Sequence, residues 1–295
     1  MTSEIIGFIG LGNMGSPMAG HLVRAGYRVI AFDIDADRQR QFSETFGLTA
    51  PESPADLHEA TVILTMVPTG AVVRQALNEG GDRSLLNRLK PGTLVIDTTS
   101  SPPASTRELG AILKEKDIHL IDAPVSGGGV GARNADLVFM MGGDDEGAVE
   151  RASAVLSHLG KRIFRLGPLG SGHTMKAMNN YVSAAGYIAA CEAVVIGERY
   201  GLDRTAIIDV LNVSTGRNFA TETSMKRILA EDFSRNFALD LFTKDLKIAA
   251  DLGEEQKVKA PLTHLVHDRM NEARNAVGGD GDHTTAFPYW EKQVG

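Results

Sequence analysis

Ile5-Ile6-Gly7-Phe8-Ile9-Gly10-Leu11-Gly12-Asn13-Met14-Gly15-Ser16-Pro17-Met18 runs from an apolar strand signal, through a glycine-rich turn, into a helix start for which Pro17 suits the first turn. The next apolar run, Arg28–Phe32, ends on Asp33, 18 residues beyond Gly15 (33 − 15 = 18). An acidic residue about 20 residues after a G-x-G-x-x-G turn is the spacing of a dinucleotide-binding βαβ unit. Glycines there let the backbone approach a pyrophosphate at the positive end of the helix. Asp33 would then accept hydrogen bonds from the adenine ribose, and its carboxylate would repel a 2′-phosphate. Ile34 follows where an arginine would favour NADP. The reading is NAD, held by Gly10, Leu11, Gly12, Asn13, Met14, Gly15 and Asp33. A tight strand-to-helix turn that binds nothing, with Asp33 capping a loop, is the alternative.

Outward from this stretch, short apolar runs alternate with helical segments up to about residue 167. The predicted strands are Ile5–Ile9, Arg28–Phe32, Thr61–Met66, Thr93–Asp97, Leu120–Ala123, Leu137–Met141 and Ile163–Leu166. Continuous Val/Ile/Leu runs bounded by Gly, Pro or Asp belong to strands covered on both faces, which gives a doubly wound α/β sheet of Rossmann type. After Gly167–Gly172 the strand pattern ends. His173–Tyr200 reads as one helix, and at 1.5 Å per residue its roughly 28 residues would span about 42 Å, too long for an ordinary crossover. Helices around 203–213, 239–252 and 261–276 follow. The expected organisation is a Rossmann domain over residues 1–167 and an all-helical substrate and assembly domain over 168–295.

The chain's 295 residues, 43% hydrophobic and 23% charged, fit two globular domains and exclude disorder as the main state. Thirty Lys+Arg against 37 Asp+Glu leave a net charge of −7, which argues against nucleic-acid or anionic-membrane partners. One cysteine, Cys191, excludes an internal disulfide framework, and it reads as an ordinary buried small residue. Acidic and histidine spacings suggest no metal site. No basic segment precedes Ile5–Ile9, as a secretory signal would require, and the uncharged stretch 177–191 is short for a membrane span. The expected location is the cytoplasm.

Lys176, Asn180, Ser183 and Tyr187 fall at i, i+4, i+7 and i+11, one face of the long helix. Most other positions are apolar or small, and a lysine on a helix apolar nearly all round needs a reason. Spacing alone leaves open a lysine solvated at the helix start. Lys244, sharing a face with Leu241 and Ile248, poses the same question. Pairing with Asp240 or with another helix's carboxylate is its structural explanation. A helix this apolar also suggests burial against a second subunit, as a homodimer or homotetramer, unless the chain's own helices cover it.

Five stretches in order resemble the β-hydroxyacid dehydrogenase family, which includes 3-hydroxyisobutyrate dehydrogenase and tartronate semialdehyde reductase. They are Gly7–Met18, Asp97-Thr-Thr-Ser-Ser-Pro102, Asp122-Ala-Pro-Val-Ser-Gly-Gly128, Gly172-His-Thr-Met-Lys-Ala-Met-Asn-Asn180 and Lys244-Asp-Leu246. The resemblance implies that Met66, Val67 and Pro68 lie over the cofactor's ribose and that Ser100 contacts its nicotinamide half. It implies that Ser126, Gly127 and Gly128 grip the substrate's acid group, a role suited to backbone N–H and hydroxyl donors. By the same resemblance Lys176 is catalytic, Asn180 orients substrate, Lys244 lies near cofactor and substrate, and Phe219 and Phe242 form apolar walls. The sequence departs from the family's pattern at Arg133 and Ala135, where an acidic residue and a glycine are usual, and mildly at Thr98 and Thr99.

The chemistry this implies is hydride exchange between NAD and the terminal carbinol or aldehyde of a small 3-hydroxy acid, without a metal. Lys176 would be general base in oxidation and general acid in reduction. An ordinary lysine titrates near 10.4, so presenting it neutral at pH 7 costs roughly 4–5 kcal/mol. Burial, the positive nicotinamide ring and Lys244 would each reduce that cost. Two other readings stand beside this one: a reductase of another small semialdehyde (tartronate, succinate or sulfonated), and a noncatalytic NAD-binding relative.

Overall fold

In the computed structural model residues 4–78 and 80–292 are described. The chain divides into two compact units, Met1–Lys176 and Ala177–Gly295. The first is an α/β unit with the order β1 (Ile5–Ile9), α1 (Gly15–Arg24), β2 (Arg28–Phe32), α2 (Ala36–Phe46), β3 (Val62–Thr65), α3 (Gly70–Asn78), α4 (Leu85–Arg88), β4 (Leu94–Asp97), α5 (Pro103–Lys114), β5 (His119–Asp122), β6 (Val125–Ser126), α6 (Gly128–Arg133), β7 (Leu137–Gly142), α7 (Glu146–Leu156) and β8 (Gly160–Gly167). Its sheet runs β2-β1-β3-β4-β5-β7-β6, with β8 beside β7. Strands β1 to β5 pair in parallel, as the uninterrupted apolar runs require.

The two faces of the sheet carry separate cores. Ile6, Phe8, Leu64, Ile96 and Ile121 pack with Met18 and Leu22 of α1 on one side. On the other, Ile9, Ile63, Val95 and Leu120 pack with Val73 and Leu77 of α3 and Leu109 and Leu113 of α5. The two-residue period of each strand thus feeds both layers. Sequence reading misses the two-residue β6 and the direction of β7, which runs antiparallel to β5 and β6. Only residues 127–136 separate β6 from β7, too few for a parallel crossover of about a dozen. The chain order crosses β1 between β2 and β3, and ligands of open α/β sheets bind at such a switch point, beyond the carboxyl ends of the strands.

Helix α8 (Ser171–Tyr200) starts in the first unit and continues into the second. The second unit adds α9 (Arg204–Val213), a π-helical turn at Ala220–Ser224, α10 (Met225–Leu229), α11 (Leu239–Glu255), α12 (Pro261–Val277) and α13 (Phe287–Lys292). Ala184, Tyr187, Cys191 and Val194 of α8 are buried among Ile208, Met225, Leu239, Leu246, Met270 and Trp290. By length and mean hydropathy, 1.2 over its most apolar 18 residues, α8 could cross a bilayer. It nevertheless carries Lys176, Asn180, Glu192 and Glu198, and it forms the spine of its own unit's core. Cys191 is fully buried, and burial pushes its thiol well above the ordinary value. Tyr187, which completes the sequence's polar stripe, is also fully buried. Its hydroxyl donates to the carbonyls of His283 and Thr284, at 3.2 and 3.4 Å.

A second polar centre closes this core. Fully buried Asp282 accepts from Arg227 Nη1 (3.0 Å), the amides of Asn236 (2.8 Å) and Phe237 (2.9 Å), and the Thr284 hydroxyl (2.7 Å). Burial alone would raise its carboxyl. The charge of His283 and these hydrogen bonds outweigh burial and hold it below the ordinary carboxylate value. Stability from such a group is present above about pH 3.9 and is lost as the pH falls through the depressed native value. Asp282→Ala is expected to cost about 3 kcal/mol at pH 7, because it removes the acceptor of the Asn236, Phe237 and Thr284 amides and one partner of Arg227, which keeps Asp232 and Ser234. In urea unfolding at pH 7 and pH 3 the gap to wild type should narrow in acid. An equal gap at both would contradict this account.

Candidate functional site

The sequence-identified positions of the first unit follow the carboxyl ends of its parallel strands. Gly10–Gly15 follow β1, Asp33 follows β2, Met66–Pro68 follow β3, Ser100 lies just beyond β4 and Ser126–Gly128 close β6. Gly10 has φ +101°, and a Cβ there would strike the Met66 carbonyl and touch Val67. A Cβ on Gly15 would strike the Gly10 carbonyl, so this glycine lets α1 approach the turn. Beside Gly12 the nearest group is Arg38 Nη1, 3.9 Å from where a Cβ would lie, which leaves its backbone approachable. No side chain caps α1, and its first turn holds no acidic residue. An uncapped helix start behind a glycine turn fits the pyrophosphate of a dinucleotide.

Asp33, 8% exposed, accepts the Leu11 amide at Oδ2 (2.5 Å) and the Asp35 amide at Oδ1 (2.8 Å). Both hydrogen bonds fix the carboxylate at the end of β2, with lone pairs remaining for ribose hydroxyls. The loops after β3 and β4 are tied together: Thr98 Oγ1 donates to Thr65 O (2.6 Å), and the Val67 amide donates to Thr99 Oγ1 (3.3 Å). The start of α6, just after β6, lies beside the glycine turn, because a Cβ on Gly129 would come within 2.8 Å of Asn13 Nδ2 and 3.2 Å of Arg133 Nη1. Arg133 thus sits by Asn13.

Asp97 and Asp122 end neighbouring strands in register. Each opens one of the stretches that carry the family resemblance, where neither aspartate has an expected role. Asp122, completely buried, accepts the amides of Gly170 (2.8 Å) and His173 (2.7 Å), and so caps the start of α8. Burial raises its carboxyl above the ordinary value, against the opposing pull of His173 and the two amides. Lys176 follows three residues after His173 and is half-buried.

In the second unit, Asn180 is 5% exposed and its Nδ2 donates to Asp245 Oδ2 at 2.6 Å. Lys244 Nζ lies 3.2 Å from Asp245 Oδ1. Asp240, one of the two kinds of partner offered for Lys244, pairs with Arg274, and the carboxylate beside Lys244 lies on its own helix. Asp245 is therefore the residue that sequence reading missed here, and its signal was its place in the Lys244-Asp-Leu246 stretch. Phe242 is buried, with its ring 5.1 Å from Phe237 and 5.5 Å from His283, whereas Phe219 is 67% exposed. The structure thus gathers Asn180, Lys244 and Asp245, and it places Phe242 in the core and Phe219 at the surface.

A glycine turn, a buried carboxylate at the end of β2 and an uncapped helix start at the switch point of a parallel sheet define a dinucleotide-binding fold. Comparison with known proteins gives the family. Residues 5–167 match the NAD-binding domain of 6-phosphogluconate dehydrogenase, and residues 170–290 match the NAD-binding domain of NADP-dependent 3-hydroxyisobutyrate dehydrogenase. The chain is 35% identical to 2-(hydroxymethyl)glutarate dehydrogenase of Eubacterium barkeri, over 98% of this chain and 96% of the relative. It is also 35% identical to human mitochondrial 3-hydroxyisobutyrate dehydrogenase, over 89% and 79%. The structure of Mycobacterium tuberculosis 3-hydroxyisobutyrate dehydrogenase with L-serine aligns over 98% of this chain and 99% of that one, with TM-score 0.88 and 34% identity. The chain belongs to the β-hydroxyacid dehydrogenase family, and it is an NAD(P)-dependent hydroxyacid dehydrogenase.

The departure at Ala135 has a physical consequence. Ala135 has φ +51°, in the left-handed region where an L side chain costs about 1–2 kcal/mol relative to glycine. Glycine's greater freedom in the unfolded chain offsets roughly 0.5–1 kcal/mol of that. Ala135→Gly is therefore expected to stabilise the protein by about 0.5–1 kcal/mol in urea unfolding. A destabilised variant would show that the turn is not strained.

Proposed function

We propose that this enzyme transfers a hydride between NAD and the terminal carbinol of a small 3-hydroxy acid, oxidising it to the semialdehyde or running the reverse. The observation that carries the reading is the Asn180–Asp245–Lys244 constellation, with Lys176 one helical turn before Asn180. The nicotinamide, when bound, supplies or accepts the hydride. Lys176 takes the hydroxyl proton in oxidation and returns it in reduction. Asp245 fixes the Asn180 amide through Nδ2, and the carbonyl oxygen, which takes Asn179 Nδ2 at 3.1 Å, keeps a second lone pair for the substrate hydroxyl. Ser126, Gly127 and Gly128 offer donors to the carboxylate, while Met66, Val67, Pro68, Ser100 and Lys244 attend the cofactor. Phe219 and Phe242 serve as apolar walls. The buried Asp33 carboxylate favours NAD over NADP.

The names of two relatives support the substrate class. 3-Hydroxyisobutyrate and 2-(hydroxymethyl)glutarate both carry a hydroxymethyl group beside a carboxylate-bearing carbon, and they differ in the substituent there. The same family chemistry would serve tartronate, succinate or sulfonated semialdehydes. We place the enzyme in the cytoplasm.

The test is a panel of these acids with glycerate, serine, 3-hydroxypropionate and a sulfonated analogue, assayed with NAD⁺ and NADP⁺. One 3-hydroxy acid should turn over with NAD⁺ preferred, and Lys176→Ala should lower kcat about 10²–10⁴-fold while NADH still binds. Oxidation should quicken from pH 7 towards 10, because the neutral amine is the base. A flat profile, or an active Lys176→Ala enzyme, would remove Lys176 from the proton transfer.

We further propose a homodimer or homotetramer built on the outward faces of α8 and α9. Val182 and Ile196 of α8 are 67% and 69% exposed, and Val210 and Val213 of α9 are 60% and 87% exposed. Exposed large apolar side chains on two helices of one unit fit a surface that another copy covers. Sedimentation should give a mass of two or four chains, and Val182→Asp with Ile196→Asp should give one. A monomeric wild type would refute the assembly.

A further inference from the structure

His173 has no part in the proposed proton transfer, yet its side chain is completely buried between two carboxylates. Its Nε2 is 2.7 Å from the carbonyl oxygen of Thr99, and its Nδ1 is 2.7 Å from Thr106 Oγ1. A carbonyl only accepts, so Nε2 carries the proton and donates. Asp97 Oδ2 and Asp122 Oδ2 flank the ring at 3.8 and 3.7 Å. The Asp122 oxygen also takes the His173 amide. Thr99 thus donates its amide to Asp97 Oδ1 (2.9 Å), accepts the Val67 amide at its hydroxyl oxygen (3.3 Å) and accepts from His173 at its carbonyl.

Thr99 immediately precedes Ser100, and His173 lies one helical turn before Lys176. We infer that His173 is a positioning residue, whose Nε2–H···O=C bond to Thr99 sets the loop that bears Ser100 against the first turn of the helix that bears Lys176. This rests on the proposed roles of Ser100 and Lys176. A leucine could fill the same volume, but it would strand the buried Thr99 carbonyl and release the loop, while Asp97 and Asp122 would keep their own amide partners. Glutamine carries one donor and one acceptor at the end of a side chain of similar reach, and it can restore the bond without a titratable ring.

The experiment compares His173→Leu and His173→Gln by titrating the folded proteins with NADH and with ADP-ribose, which lacks the nicotinamide. For His173→Leu, NADH should bind about tenfold more weakly, ADP-ribose should bind within about twofold of wild type, and kcat should fall about 10²-fold, the loss that a misplacement of about 1 Å causes. KM for the acid should change less than kcat. His173→Gln should lie within about threefold of wild type in all of these. Equal weakening of NADH and ADP-ribose would show a general loss of the fold and overturn the proposal. So would an unchanged leucine variant, or a glutamine variant as impaired as leucine. If the leucine variant does not fold, His173→Asn, too short to reach Thr99, replaces it with the same expected result. Lys176→Ala, measured alongside, tests the acid–base reading separately. Its activity would sink that reading while the binding contrast at His173 still stood or fell by itself.

Discussion

A carboxylate without solvent contact, Asp122, holds the first turn of the longest helix in the molecule. Burying that charge costs several kcal/mol in the absence of compensation. Compensation comes from the amides of Gly170 and His173, both closer than 3 Å, at a helix end whose dipole favours negative charge. Because β5 fixes Asp122, the start of α8 is fixed to the sheet within the first unit. Lys176, at the end of that unit, inherits its position from this contact.

The same economy of backbone donors shapes the rest of the sheet's carboxyl edge. Asp33 binds the glycine turn to the end of β2, and Asp97 takes both the Thr65 hydroxyl (2.8 Å) and the Thr99 amide. Each acidic side chain sits where a parallel strand stops, and each takes amides that leave the strand ladder. The loops that result are not slack connections. Their carbonyls and hydroxyls are committed to neighbouring loops, which is how a ligand-facing edge can be preorganised without its ligand.

In the helical unit two further buried aspartates have different duties. Asp282 is saturated by Arg227, backbone amides and Thr284, and its duty is to hold the start of α11 and the turn before α13 together. Asp245 takes an amide and an ammonium from the side chains of Asn180 and Lys244. The first arrangement ties backbone segments to one another, whereas the second aligns a carboxamide and a lysine, the groups to which the proposed chemistry falls.

The sequence by itself determined the sheet, the helical second half and the glycine turn, because those rest on local periodicity and on the stereochemistry of consecutive residues. Strands β1 and β2 were legible to the residue, and α8 to within two. The two-residue β6 and the reversed β7 were not, since strand direction depends on pairing and not on apolar pattern. Tertiary structure alone decided the partners of the polar residues. His173 meets Thr106 across 67 positions of chain, and Asn180 meets Asp245 across 65. Helical spacing put Asn180 and Tyr187 on one face, but only packing separated an amide held by a carboxylate from a phenol spent on core carbonyls. Hydrogen bonding between distant residues leaves no period in a sequence, and for that reason the motifs were visible while the contacts that set them in place were not.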